Sequence, residues 1–135
     1  LVAPPAIDRT VGEYLVANNK RSFVVSETQK FGHVTYFFNG NRSGAFDEAL
    51  ESYVEIPSDN VDFSQAPAMK ADEIVDATLA EIDRFSPDFV RVNIANGDMV
   101  GHTGVLAAAV EAADEFTAIT AREQNVAGKQ AFRLL

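Results

Sequence analysis

A three-layer α/β/α arrangement around a mainly parallel sheet is the fold class this sequence predicts. Three observations carry it. Short apolar runs of strand length alternate with segments of helical period, the helical segments carry start and stop signals, and turn residues separate the two kinds of element. The order read along the chain is helix, strand, helix, strand, helix, strand, helix. Strands joined through helices pair in parallel, with helices covering both faces.

The elements follow in order. "TVGEYLVANNKR" opens with Thr10 and Glu13 at capping-box spacing, and Val11, Tyr14 and Leu15 share a face, so a short helix should end near Asn18 and Asn19. "SFVVS" is a brief buried strand. In "SETQKFGHVTYFFNGN" the run "HVTYFF" has strand-like residues, but Ser26 and Gln29 form a second capping box and Phe31, Val34 and Phe38 recur at helical spacing. With Asn39-Gly40 as a stop, the pattern predicts a helix over 27–38. Residues 40–52 read as loop with a turn of helix at "FDEAL", and "YVEIPS" as a short strand stopped by Pro57. After the loop "SDNVDFSQAP", the stretch "MKADEIVDATLAEIDRF" sets Ile74, Val75, Leu79 and Ile82 on one face of an amphipathic helix. "DFVRVNI" is the third strand, "NGDMVGHTG" a glycine-hinged turn, and "GVLAAAVEAADEFTAIT" a last helix with Leu106, Val110, Ala113 and Phe116 in one stripe.

Composition narrows the function. At 135 residues and 47% hydrophobic content the chain supports one domain with a core. A net charge of −9 argues against nucleic acid or an anionic membrane as partner, since phosphate contacts need clustered Lys and Arg. Zero cysteines exclude a disulfide framework and thiolate metal sites. "LVAPPAIDRT" has no basic region followed by a long apolar run, and no apolar stretch approaches membrane-spanning length, so a soluble, cytoplasmic protein is expected.

In an open parallel sheet, ligands bind where loops leave the C-terminal ends of strands. Three stretches fall on that edge: 26–30, "IPSDN" and "NGDMVGHTG". Asp98 and His102 offer an oxygen and an imidazole nitrogen, a mixed set that suits manganese, zinc, iron or, less well, magnesium. Gly97 and Gly101 would let both side chains face one point. The spacing alone leaves open a plainer reading, in which Asp98 caps the next helix and His102 is simply exposed. Lys30 sits in the first turn of its expected helix, where free backbone N–H groups already attract anions, so it marks a phosphate or carboxylate site unless it is an ordinary solvated lysine. His33, a turn later, could join such a site but is left unassigned.

"SETQKFGHVTYFFNGN" together with "NGDMVGHTG" closely resembles the cofactor-independent phosphoglycerate mutases, members of the alkaline phosphatase-like metalloenzyme superfamily. "SDNVDFSQAPAMKADEIVDATLAEI" is similar to the same family, and the resemblance runs from about Ala3 to Ala118, looking most like its plant and trypanosomatid branch. The resemblance implies interconversion of 3-phosphoglycerate and 2-phosphoglycerate, a step of glycolysis and gluconeogenesis, through a phosphoserine intermediate and two metal ions. Manganese is the expected metal, with magnesium or cobalt as substitutes and no requirement for 2,3-bisphosphoglycerate. By motif position Asp98 and His102 match two ligands of one metal, and Lys30 matches the catalytic, substrate-binding lysine that contacts the transferring phosphoryl group. The small-molecule phosphoglycerate is then the partner, with the full-length enzyme a monomer.

The departures matter equally. The family's serine motif, of the form N-S-E-x-G-H, its arginine-bearing phosphotransferase domain and its D-H-G metal motif do not occur in these residues; beyond Ala118 the chain ends "TAREQNVAGKQAFRLL". Residues 1–135 therefore look like one segment of the metal-binding phosphatase domain, inactive alone. The alternative is a truncated or diverged domain with a non-catalytic metal-binding or structural role.

Overall fold

The computed structural model describes residues 7–126. The opening residues of the stretch read as lacking a leader, 1–6, and residues 127–135 lie outside that range. Among the described residues no helix is long and apolar enough to cross a membrane.

Three parallel strands form the sheet, in the order β2-β1-β3: β1 is Ser22–Glu27, β2 Glu51–Ile56 and β3 Phe89–Asn93. Register pairs Val24 with Tyr53 on one side and Arg91 on the other. The central strand is buried along its whole length, as a parallel strand covered on both faces must be. Side-chain alternation sends Phe23 and Val25 to one face, where they meet Val54, Val90, Val92 and Ile74 of helix α3 (Ala71–Phe85). A second cluster joins Ala71 and Val75 of α3 to Ile119 of helix α5 (Leu106–Val126).

The opposite face is polar. Asn39 donates to the Tyr53 hydroxyl (2.9 Å), which donates to Glu51 (2.8 Å), and Glu51 in turn accepts the backbone N–H groups of Phe46 (2.5 Å) and Asp47 (3.1 Å). Arg91 lies over the Phe38 ring, 3.7 Å from its centre. Desolvation holds the Arg91 guanidinium below its ordinary value. The segment covering this face is helical, as expected from 27–38: helix α2 (Thr28–Gly32) runs directly into a π turn over His33–Phe37. "HVTYFF" is not paired in the sheet. Within it the Thr35 hydroxyl donates to the Phe31 carbonyl at 2.7 Å.

Several local expectations change. Ser26 is the buried penultimate residue of β1 rather than a cap; Glu27 takes the N-cap position, so the second capping box does not form. The first box does form at the head of α1 (Val11–Ala17), where the Thr10 N–H donates to Glu13 at 2.6 Å. The buried side of α1 is not the Val11–Tyr14 face, since both are exposed; Gly12 is buried instead, where a Cβ would come 2.8 Å from the Phe46 ring. Asn39-Gly40 does end the helical segment, with Gly40 at φ +76° and its Cα so close to Ile7 that a Cβ would meet that carbonyl oxygen at 2.1 Å. "FDEAL" makes only a hydrogen-bonded turn closed by Glu51 N–H on the Asp47 carbonyl. A short 3₁₀ turn, Phe63–Gln65, lies in the loop after β2.

The largest change is in α5. The stripe of Leu106, Val110, Ala113 and Phe116 is exposed, and Ala108, Ala112 and Ile119 are buried in its place. Both sets have helical spacing; alanine, small enough for close helix approach, marks the side that packs on α3 and α4.

Candidate metal and anion site

All strands point the same way, so their C-terminal ends share one edge. Glu27 ends β1 there. Its carboxylate is buried and accepts the Lys70 N–H at the start of α3 (3.2 Å), while the Lys70 ammonium pairs with Asp59 of the loop after β2 (2.8 Å). Burial pushes the Glu27 carboxyl above its ordinary value of 4.5, more than the Ser58 hydrogen bond and the Lys70 contacts pull it down. The folded chain then holds the Glu27 proton more tightly than the unfolded chain does. Stability from this group is fullest below the ordinary carboxyl range and falls as pH rises through the higher folded value. Glu27→Gln keeps an acceptor and cannot ionise, so it is expected to gain on the parent as pH climbs above about 4.5. Urea midpoints measured across that range check this; a difference between the two proteins that stays flat would contradict it.

"NGDMVGHTG" is not a glycine-hinged turn. Asn96–Gly101 is a short helix, α4, with His102 at its C-cap. Its logic is two pairs at i,i+4 spacing. Asn96 and Val100 point inward: the Asn96 amide donates to the Ala112 carbonyl of α5 (3.1 Å), and Val100 packs on Ala108 and Ala112. Asp98 and His102, each two positions on, stand together on the outer side, with His102 Nε2 3.5 Å from Asp98 Oδ1. Helical geometry, not glycine freedom, makes the two converge. Among the glycines of this stretch only Gly104 has a left-handed backbone (φ +74°), where the chain turns from α4 into α5.

Lys30 reaches this point from α2, which follows the neighbouring strand β1. Its ammonium lies 2.5 Å from Asp98 Oδ2. The Lys30 side chain is 19% exposed, against 51% for Asp98 and 76% for His102, so a largely sheltered cation meets two open donors. That contact, first of all, holds the Asp98 carboxyl below its usual range, with His102 and His33 adding smaller attraction. All three residues singled out from the sequence are thus gathered at one place. Lys30, however, is not an open anion site: its charge is already matched by Asp98. It is the third residue of α2, in the first turn of a helical segment that continues as the π turn, as the sequence predicts.

His33 was left aside in the sequence reading. It is exposed on the same segment as Lys30, with its ring edge-on to Phe37 at 5.5 Å. Asn96 and Glu27, which anchor the site from behind, were not singled out. The Asn96–Val100 pair was detectable as an i,i+4 repeat interleaved with Asp98–His102; Glu27 gave no signal, since a carboxylate closing a strand reads as exposed. Asp98 and His102 form a donor pair that fits a divalent cation of intermediate hardness. Among the described residues they are not joined by a third histidine or carboxylate in a group able to hold a metal ion.

Comparison with known proteins matches the model of the metalloenzyme superfamily to residues 1–122. A Leptospira interrogans protein named "Probable 2,3-bisphosphoglycerate-independent phosphoglycerate mutase" is 51% identical over 135 residues, covering 100% of this chain and 25% of its own length. The 2,3-bisphosphoglycerate-independent phosphoglycerate mutase of Zea mays is 58% identical over 119 residues, 85% of this chain and 21% of its own. Among solved structures, Leishmania mexicana phosphoglycerate mutase at low cobalt concentration superposes with a TM-score of 0.88 at 44% identity, over 92% of this chain and 23% of that one. The chain therefore spans a quarter or less of the length of these relatives.

Proposed function

The chain belongs to the metalloenzyme superfamily, and from that premise we propose that it is a segment of the metal-binding phosphatase domain of a 2,3-bisphosphoglycerate-independent phosphoglycerate mutase. The whole enzyme would interconvert 3-phosphoglycerate and 2-phosphoglycerate in the cytoplasm, as a step of glycolysis and gluconeogenesis, acting as a monomer. The observation that carries this reading is the meeting of Lys30, Asp98 and His102 at the C-terminal edge of adjacent strands.

Each residue has a role that its geometry supports. Asp98 and His102 would hold one divalent cation, manganese by preference and cobalt or magnesium as substitutes. Bound there, the cation supplies charge stabilisation to the oxygens of a phosphoryl group. Lys30 would place its ammonium against the same phosphoryl group and neutralise charge as the group moves. Glu27 and Asn96 hold the two site segments against α3 and α5. The serine nucleophile, the remaining metal ligands and the phosphotransferase domain belong to sequence beyond these residues.

The test is a chimaera in which residues 1–135 replace the aligned quarter of the Leptospira relative. The isolated chain with manganese is expected to show no phosphoglycerate interconversion, and the chimaera to show it, with loss on Lys30→Ala. Robust turnover by the isolated chain would overturn the segment reading. A folded chimaera without turnover, beside an active parent, would overturn the mutase reading.

A further inference from the structure

The proposed roles ask Asp98 to hold a cation and Lys30 to hold a phosphoryl group, but in the structure these two hold each other. Lys30 Nζ lies 2.5 Å from Asp98 Oδ2, while the other carboxylate oxygen faces His102. A divalent cation arriving between Asp98 and His102 would stand within a few ångströms of the ammonium. Like charges at that separation repel, and one carboxylate cannot compensate both. The burial pattern says which cation yields. Asp98 and His102 stand open to solvent on a single-turn helix, and Lys30 rides on a flexible four-carbon stem whose head can swing while the stem stays packed. Among the described residues, Asp98 is the carboxylate with which Lys30 forms an ion pair. Once displaced, the ammonium lacks an anion, and a phosphate beside the bound cation would supply one.

We propose that the Lys30–Asp98 ion pair is an exchange latch: a divalent cation at Asp98 and His102 releases the Lys30 ammonium, and the released ammonium recruits the phosphate group of the substrate. Asp98 is then a positioning residue for Lys30 before it is a ligand. By linkage the coupling is reciprocal, so phosphate tightens the cation by the same factor by which the cation tightens phosphate. The inference rests on the metal and phosphoryl roles given above.

The experiment uses the chimaera with the Leptospira relative, which supplies the remaining ligands, with manganese and inorganic phosphate as probes. Lys30→Ala removes the competitor and should bind manganese about two- to fivefold tighter than the parent in calorimetry, the range expected for breaking a partly exposed ion pair. Saturating manganese should also speed acylation of Lys30 by a limiting N-hydroxysuccinimide ester, read by mass spectrometry, and leave Lys70 unchanged, because Lys70 is paired with Asp59 and Glu73 rather than with a proposed metal ligand. Phosphate should bind the parent more tightly with manganese present, and that gain should shrink in Lys30→Ala to what the cation alone supplies. Manganese binding that needs Asp98, tested with Asp98→Asn, but is unaltered or weakened in Lys30→Ala overturns the latch alone. Manganese that binds equally well to Asp98→Asn, or does not bind at all, overturns the metal assignment and the latch together.

Discussion

Replacing Phe23 by alanine is expected to lower the unfolding free energy by about 3–5 kcal/mol, enough to take most of the margin from a domain of ordinary stability. Phe23 is fully buried in the central strand, where its ring is shared by the flanking strands and by Ile74 and Ala77 of α3. Its removal opens a cavity that three parallel strands cannot collapse into without breaking register on both sides of β1. Urea unfolding followed by far-ultraviolet circular dichroism checks the magnitude. Leu106→Ala is the control: at 78% exposure it should change stability by no more than about 0.5 kcal/mol. Equal losses for the two variants would mean that the face of α5 carrying Leu106 is packed after all.

Asp98→Ala should weaken manganese binding by well over tenfold. Removing a mere outer partner of a metal ligand costs roughly 10–100-fold, and Asp98 is one of the two ligands proposed here. What remains is a single imidazole that is mostly in water, with the Lys30 ammonium now unmatched beside it. Because Asp98 is half exposed and bonds no core residue, the unfolding transition should barely move, so the loss can be read as loss of the site. Calorimetric titration measures it. Binding that survives Asp98→Ala would mean that the α4 pair is structural and that the cation sits elsewhere.

How far the sequence reached depended on whether the deciding contact was local. The alternation of strand and helix, the helical reading of "HVTYFF" and the common edge for Lys30 and Asp98 all follow from period and from strand direction, and the structure has each of them. The errors share a different cause. α5 offers two plausible apolar stripes, and which one is buried depends on the shape of α3 and α4 rather than on hydrophobicity, so the smaller Ala108 and Ala112 prevail over Leu106 and Val110. Ser26 has good cap chemistry, but pairing with Glu55 and Asn93 keeps it in β1. Arg91 sits in a mostly apolar strand, and partners distant in sequence, the Phe38 ring and Tyr53, accompany its burial.

The same division applies to the site. The i,i+4 relation of Asp98 and His102 was visible in the sequence, although glycines suggested the wrong backbone for it. That Lys30 would be spent on Asp98 was not visible, since nothing within either segment records the other's distance.

The π turn at His33–Phe37 gives this segment one residue of slack in its length. A π turn takes one residue more than an α turn to close, so deleting any one residue of 33–37 would let the helix revert to α and close the same turn with one residue fewer. The two ends answer to different masters: Phe38 and Asn39 are fixed to Arg91 and Tyr53 in the polar layer, and Lys30 to Asp98 at the strand edge. A deletion inside the π turn therefore keeps both sets in phase, whereas an inserted residue, for which no slack is left, would rotate one set against the other by about 100°. Substitution at the exposed Phe37 leaves the phase untouched. Relatives of this segment should lose a residue between lysine and asparagine more readily than they gain one.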